Sequence, residues 1–223
     1  MKIPFWKKWL SYLQPQVLEM TGSEQNPELT VLLYRGRLQL LSGNAVYSWD
    51  DLYRNFNRAF ARLDLEQRPY EDVLLLGLGL GSVPFILEKV YGRHYRYTAV
   101  EWDETVAELA TRYTFSRLDS PVEIVVADAA IFTGVNEDQY DMLIVDIFED
   151  DLTPPQFLTR EFLECCDERL RHGGVLLFNC LYNRSHERSA TKRFFEHTFK
   201  AVFPGAEAFD TDGNWVLCYT KPD

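Results

Sequence analysis

Glycines and carboxylates stand at the ends of several predicted strands of this chain, where side chains can bind a ligand. The apolar run Val73–Leu76 leads into three alternate glycines: Gly77, Gly79 and Gly81. A strand-to-helix turn of this composition lets the backbone approach a nucleotide closely. Glu101 ends the next predicted strand, 24 positions after Gly77, near the spacing at which an acid binds ribose hydroxyls. The pattern predicts a site for an adenosine-type ligand; the alternative is a glycine turn that only packs helix on sheet.

Polar residues also end the following predicted strands. Asp128 and Ala129 follow the third strand, where the carboxylate can accept from an adenine amino group and the adjacent N–H can donate to a ring nitrogen. Asp146 ends the fourth strand, at the reacting end of the expected ligand, and Asn179 ends the fifth. Structural alternatives stay open, because Asp128 can cap a turn and Asp146 can satisfy donors of its loop.

The acidic run after Asp146 includes Glu149 and Asp150. Carboxylates beside a reacting centre can hold a cation, so this run is a candidate for binding a cationic substrate. The alternative is that the same residues form a solvated loop.

Strands and helices alternate from residue 71 to the end of the chain. The predicted strands are 73–76, 97–100, 122–126, 142–145, 174–178 and 215–219, and the predicted helices are 82–91, 103–113, 157–170 and 191–199. Alternation of this kind is typical of a Rossmann-like, doubly wound and mostly parallel α/β sheet with helices on both faces. In such a sheet, ligands bind beyond the carboxyl ends of the strands, which brings the candidate residues together.

The first 66 residues have a different pattern. We expect an N-terminal helix over 4–13, short β-strands with a hairpin at Gly36, and a helix that Ser48 caps and that leads into the main domain. Trp6 and Trp9 lie at helical spacing beside lysines, which favours docking on the chain itself or on a second copy in a homodimer over contact with a membrane surface. The expected units are therefore residues 1–66 and residues 67–223.

Composition excludes several classes of function. A formal net charge of −11 over 223 residues opposes nucleic-acid binding and is compatible with a cationic substrate. The four cysteines form no CxxC pair, so neither a structural zinc site nor any other metal site is expected. No apolar run is long enough for a membrane span and no signal-peptide pattern is present, so we expect a cytoplasmic protein.

At this point the chain resembles the spermidine synthase-like aminopropyltransferases, which share a Rossmann-type scaffold with the class I S-adenosylmethionine-dependent methyltransferases. The resemblance covers roughly residues 30 to 220 and rests on short motifs. The matching segments are Gly36–Gln39 with Tyr47, the glycine loop 77–81, Glu101, Asp128 with Ala129, the strand 140–146, Pro154 with Pro155, and Gly213–Trp215.

The resemblance implies a transfer reaction. In that family an amine attacks the aminopropyl carbon of decarboxylated S-adenosylmethionine, and methylthioadenosine leaves. When the family's roles are transferred to the matching positions of this chain, Asp146 orients and deprotonates the amine and Glu149 replaces a second acid. Gln39 and Tyr47 then line the amine channel. The donor is then S-adenosylmethionine or its decarboxylated form, bound as a substrate, and the acceptor is a small amine or another small molecule.

Departures from the family pattern keep two alternatives open. The family carries an aspartate in the glycine loop, facing the amine end of the ligands, where this chain has Leu80, and Ile147 and Phe148 replace small hydroxyl residues. The methyltransferase pattern also fails, because its acid before the first glycine is Leu75 here. The alternatives to aminopropyl transfer are methyl transfer to an unknown small molecule and a non-catalytic nucleoside-binding protein.

Overall fold

A small antiparallel sheet precedes a larger, mostly parallel one. The computed structural model describes residues 3–43, 45–149 and 152–223. A short helix, α1 (Phe5–Leu10), leads into four antiparallel strands in sequential order: β1 (Gln16–Thr21), β2 (Leu29–Tyr34), β3 (Arg37–Ser42) and β4 (Ala45–Ser48). Gly36, at φ 76°, forms the predicted hairpin between β2 and β3.

Seven strands with helices between them make up the rest of the chain. The first half contains α2 (Arg54–Phe60), β5 (Asp72–Leu76), α3 (Ser82–Lys89), β6 (Arg96–Glu101), α4 (Glu104–Tyr113) and β7 (Val122–Val126). The second half contains α5 (Ala129–Val135), β8 (Tyr140–Val145), α6 (Arg160–Arg169), β9 (Leu170–Leu181), α7 (Ser185–Phe194), β10 (Glu207–Asp210) and β11 (Asn214–Thr220). After α7 the helical stretch continues over Phe195–Phe199 and Lys200–Val202.

The strand order of the large sheet is β10-β11-β9-β8-β5-β6-β7. Strands β5 to β9 are parallel to one another, and β11 pairs antiparallel with both β9 and β10. The chain reverses its direction of winding at β5, so the ends of β5 and β8 form the crevice at which such sheets bind ligands. The predicted fold class is confirmed.

Several element boundaries differ from the sequence-based expectation. Ser48 does not cap a helix: it ends β4, and its hydroxyl lies 2.6 Å from that of Ser82, the first residue of α3. The helix α2 begins only at Arg54, after a 3₁₀ turn over Asp50–Leu52. The helix α5 and the strand β10 were not predicted, since each is short and has a weak apolar pattern.

Leu80 packs between the small sheet and α4. Its side chain is only 2% exposed and packs in a cluster from the small sheet, the glycine loop and α4. The other buried members of this cluster are Leu29, Val31, Leu33, Leu38, Leu40, Val106, Leu109 and Tyr113. By contrast, Phe56 and Phe60 of α2 pack in a cluster with strands of the large sheet, so where the chain divides into units stays a prediction.

The N-terminal helix leaves its aromatic side chains uncovered by the described parts of the chain. Phe5, Trp6 and Trp9 are 82%, 58% and 66% exposed, although Ser11 ties the end of α1 to the hairpin by accepting from the backbone N–H of Arg35. Docking of these side chains on a second copy stays a prediction. No helix in the described ranges is long and apolar enough to cross a membrane.

Candidate functional site

A cavity of about 1250 Å³ opens at the carboxyl ends of the central strands. Eight of the predicted site residues line it: Tyr47, Gly77, Gly79, Glu101, Asp128, Ala129, Asp146 and Glu149. Two others do not. Gln39 is 8% exposed within β3, and Gly81 precedes α3, where an added β-carbon would stand 2.9 Å from the ring of Phe115. The structure brings neither residue to the cavity wall. Asp150 lies outside the described residues.

The glycine loop brings two strand ends close together. A β-carbon on Gly77 would stand 2.3 Å from the backbone oxygen of Asp146, and Gly77 has a φ of 86°. Only glycine fits both this space and this backbone conformation. A β-carbon on Gly79 would stand 3.0 Å from the backbone oxygen of Tyr47, so the loop also contacts the small sheet. Any larger residue at position 77 would push the Asp146 strand end away.

Backbone N–H groups hold the carboxylate of Glu101 in place. One oxygen accepts from the N–H of Leu78 at 3.1 Å, and the other accepts from Trp102 and Asp103 at 2.9 and 3.1 Å. Burial raises the pKa of Glu101, and the hydrogen bonds from Asp103 and Leu78 oppose that rise. A carboxylate oxygen has two lone pairs, so the oxygen that accepts only from Leu78 can still accept from a ribose hydroxyl.

The loop after Glu101 is fixed by a second carboxylate. Asp103 is 1% exposed and caps α4 by accepting from Thr105 at 2.9 Å. Its other oxygen accepts from Ser23 and Asn26 of the N-terminal part, at 2.5 and 2.6 Å. The loop between β1 and β2 therefore anchors the turn that follows Glu101.

Asp128 has the structural role that the sequence left open, and it also lines the cavity. Its Oδ1 accepts from the N–H groups of Ala130 and Ile131 at 2.8 and 3.0 Å, which caps α5. Its Oδ2 has no hydrogen-bond partner among the described residues, so it remains able to accept from a ligand amino group.

Three side chains from distant elements surround Asp146. Its Oδ1 accepts from the hydroxyl of Tyr53 at 3.0 Å and from the amide of Asn179 at 2.9 Å. Asn214 fixes the amide orientation of Asn179 by donating to its oxygen at 3.0 Å. Within the described ranges, Oδ2 of Asp146 has no partner. One oxygen is thus anchored while the other is free to meet a substrate.

The protonation of this group is tuned by its surroundings. Burial raises the pKa of Asp146 to about 6, against the lowering by the hydrogen bonds from Asn179 and Tyr53. Burial likewise raises the pKa of Tyr53 well above its usual range, so its hydroxyl stays a donor near neutral pH. At pH 7 Asp146 is therefore mostly ionised and able to accept a proton.

The lining residues that were not predicted as site residues include Tyr53, Arg54, Trp102 and Asn214. Tyr53 lies in the segment predicted as a helix after Ser48, and nothing local marks it as a partner of Asp146, 93 positions away. Trp102 could have been found, since it directly follows Glu101 and its ring is 59% exposed. An indole at the cavity wall can stack on a purine.

The departures from the family pattern fall in different places. Leu80 does not line the cavity, because its side chain lies in the cluster beneath the small sheet; the expectation that this position faces the amine end is wrong for the leucine present. Ile147 and Phe148 do line the cavity, so its reacting end is partly apolar. In the described ranges no group of three or more His, Cys, Asp or Glu side chains is arranged to hold a metal ion.

No protein-family model matches the chain, whereas individual relatives do. The polyamine aminopropyltransferase of Vibrio vulnificus is 30% identical over 139 residues, which is 60% of this chain and 44% of that protein. The polyamine aminopropyltransferase of Lachnospira eligens is 28% identical over 209 residues, which is 88% of this chain and 70% of that protein. The match thus spans less than half the length of the Vibrio relative.

Solved structures share the fold. A spermidine synthase in complex with the transition-state analogue AdoDATO superimposes with a TM-score of 0.71 at 17% identity, over 92% of this chain and 74% of that one. Human methyltransferase-like protein 13 in complex with SAH gives a TM-score of 0.60 at 23% identity, over 75% of this chain and 80% of that one. The relatives and the fold together agree with the resemblance: the chain is similar in sequence to polyamine aminopropyltransferases, and it has the fold shared by spermidine synthases and S-adenosylmethionine-type methyltransferases.

Proposed function

We propose that this protein transfers an aminopropyl group from decarboxylated S-adenosylmethionine to a small amine. The observation that carries the proposal is the position of Asp146: one oxygen is anchored, the other is free, and the cavity also contains Glu101 and Asp128. The names of the curated relatives support the same reaction.

The donor nucleoside is held along the glycine loop and the ends of β6 and β7. Glu101 accepts from the ribose hydroxyls, Asp128 accepts from the adenine amino group, and the N–H beside Asp128 is available to a ring nitrogen. Gly77 allows the backbone to approach the nucleoside. This arrangement leaves the sulfonium end near Asp146, since Gly77 and Asp146 are in backbone contact.

Asp146 then acts on the acceptor. The free oxygen orients the attacking nitrogen and accepts its proton as the new N–C bond forms. The C–S bond breaks, and its electron pair goes to sulfur, which leaves as neutral methylthioadenosine. Positioning and proton removal are the two contributions required, because the sulfonium is already a good leaving group.

The cavity itself argues for a ligand-binding role. A protein that kept the fold but lost its ligand predicts a closed or apolar space beside Asp146. The space present is open, and its wall carries six carboxylates among the described residues: those of Glu24, Glu101, Asp128, Asp146, Glu149 and Asp212.

The direct test is the release of methylthioadenosine from decarboxylated S-adenosylmethionine in the presence of a panel of amines. We expect release by the wild type and a loss of roughly 100-fold or more in kcat for Asp146→Asn, which keeps the shape but not the base. Calorimetry with the donor establishes that the variant still binds it. Transfer of a methyl group from intact S-adenosylmethionine, without release from the decarboxylated donor, would overturn the proposal in favour of a methyltransferase.

A further inference from the structure

Arg54 brings an unpaired positive charge to the cavity. It is the first residue of α2, it is exposed, and it lines the cavity. Its guanidinium makes no hydrogen bond or ion pair with the described residues. Arg58, one turn further along α2, is different: it lies 3.3 Å from Asp212 and donates to the backbone oxygen of Thr211 at 2.7 Å. Arg54 is thus available to a ligand.

Arg54 lies beside the residue that contacts the proposed base. It directly follows Tyr53, whose hydroxyl donates to Asp146 at 3.0 Å, and consecutive α-carbons are about 3.8 Å apart. The nucleoside-binding residues Glu101 and Asp128 come from other elements, at the ends of β6 and β7. Arg54 also shares a face of α2 with Arg58, four positions on, which contacts Thr211 and Asp212 of the cavity wall. These contacts lie beside Asn214, the partner of Asn179, and they assign Arg54 to the acceptor end.

A diamine is a poor match for this end of the cavity. Its attacking nitrogen would meet Asp146, but its second ammonium would share the wall with the Arg54 guanidinium. Position 80 offers no compensating acid, because it holds a leucine whose side chain packs against the small sheet and α4. A carboxylate, by contrast, matches the planar donors of a guanidinium in a bidentate geometry.

We infer that the acceptor is an amine that also carries a carboxylate, with its nitrogen at Asp146 and its carboxylate at Arg54. The inference rests on the proposed function, since Asp146 defines the acceptor end. Glu149 also lines this cavity, and its charge is compatible with such an acceptor because the acceptor keeps one ammonium group.

The experiment compares 4-aminobutanoate with 1,4-diaminobutane, which have similar chain lengths and differ in the charge of one end. Methylthioadenosine release is measured with the decarboxylated donor for the wild type, Arg54→Gln and Arg54→Lys. Arg62→Gln is the matched control, because Arg62 follows α2 and lies outside the cavity wall. We expect the wild type to prefer the amino acid, and Arg54→Gln to lower kcat/KM for it roughly 10- to 100-fold.

The other expected results separate charge from shape. Arg54→Lys should recover part of the activity with 4-aminobutanoate, and the diamine should react equally well or better with Arg54→Gln. A wild type that prefers the diamine, or an Arg54→Gln variant with the same preference as Arg62→Gln, would overturn the inference. Weaker binding of intact S-adenosylmethionine to Arg54→Gln, with the acceptor preference unchanged, would assign Arg54 to a donor carboxylate and also overturn it.

Calorimetry keeps this inference separate from the proposed function. The protein is saturated with methylthioadenosine and titrated with each acceptor, so no turnover is needed. If no acceptor releases methylthioadenosine but 4-aminobutanoate binds in an Arg54-dependent way, the proposed function fails and the carboxylate site stands. If neither variant nor wild type binds the amino acid more tightly than the diamine, the carboxylate site is refuted.

Discussion

The two walls of the cavity are built in different ways. The wall proposed to bind the nucleoside, here called the nucleoside wall, contains Glu101 and Asp128. Their carboxylates are held largely by N–H groups one to three residues further along the chain. The wall proposed to bind the acceptor, here called the acceptor wall, contains Asp146. This carboxylate is held by Tyr53 and Asn179, which are 93 and 33 positions away. The first wall is a property of local loops, whereas the second exists only when α2, β8 and β9 are assembled. Nucleoside binding should therefore tolerate changes that the chemistry does not.

The largest effect on stability is expected at position 80, where the family pattern has an acid and the structure has a buried leucine. Leu80→Asp restores the acid of the family pattern. It places this acid in the apolar cluster of the small sheet, the glycine loop and α4, where Leu80 is 2% exposed. The free energy of unfolding should fall by at least about 3 kcal/mol, from lost apolar packing and a buried charge. Denaturant unfolding measures this, with the nearly isosteric Leu80→Met as the control. A stable Leu80→Asp protein with higher activity toward diamines would show that position 80 belongs to the acceptor wall.

A smaller effect is expected on the nucleoside wall. Glu101→Gln removes a charge that the ribose hydroxyls meet, and one of its oxygens becomes a donor facing the N–H of Leu78. Affinity for methylthioadenosine and for S-adenosylhomocysteine should fall together, by roughly 10- to 100-fold, as measured by calorimetry. Glu104→Gln, on the exposed start of α4, is the control. Unequal losses for the two nucleosides would mean that Glu101 contacts the part in which they differ.

The same contrast explains how much could be predicted from the sequence. Six of the seven strands of the large sheet were predicted. The meeting of Gly77, Glu101, Asp128 and Asp146 at one edge could also be predicted, because strand ends in a parallel sheet lie together and each residue directly follows an apolar run. The partners of Asp146 could not be identified. Tyr53 lies in a segment predicted as a helix, and the sequence does not give the direction of its hydroxyl. That direction depends on how α2 packs on the large sheet.

Leu80 and Gln39 show that a sequence motif does not reveal which side of the structure its residues face. Both belong to motifs that the resemblance assigned to the ligand, and the structure buries both away from the cavity wall. A motif gives the position of a residue in the chain, whereas the side a loop residue faces depends on the φ angles of its neighbours, here Gly79 and Gly81 at 51° and 85°.

The acceptor wall should also affect stability through pH. The pKa of Asp146 rises from its usual 3.8 to about 6 on folding, so between these values the folded state binds more protons than the unfolded state. The contribution of Asp146 to the free energy of unfolding is therefore full below pH 3.8 and is lost as the pH rises to about 6. Asp146→Asn should be more stable than the wild type above pH 6, and the difference should shrink towards pH 4. Thermal unfolding across this range, with equal curves for both proteins, would contradict the raised pKa.

The smallest effect is expected from removing a single hydroxyl of the acceptor wall. In Tyr53→Phe, Asp146 keeps Asn179 but loses a donor that lowers its pKa, so the pKa should rise further above 6. The acidic limb of the kcat/KM profile should then move to higher pH, with only a several-fold loss on the alkaline plateau, since the carboxylate is still present. Tyr91→Phe is the matched control, because its hydroxyl donates to Asn57 of α2 outside the cavity wall. A uniform loss at every pH would instead mean that Tyr53 only supports the packing of α2, and the acceptor wall would then owe its chemistry to Asp146 and Asn179 alone.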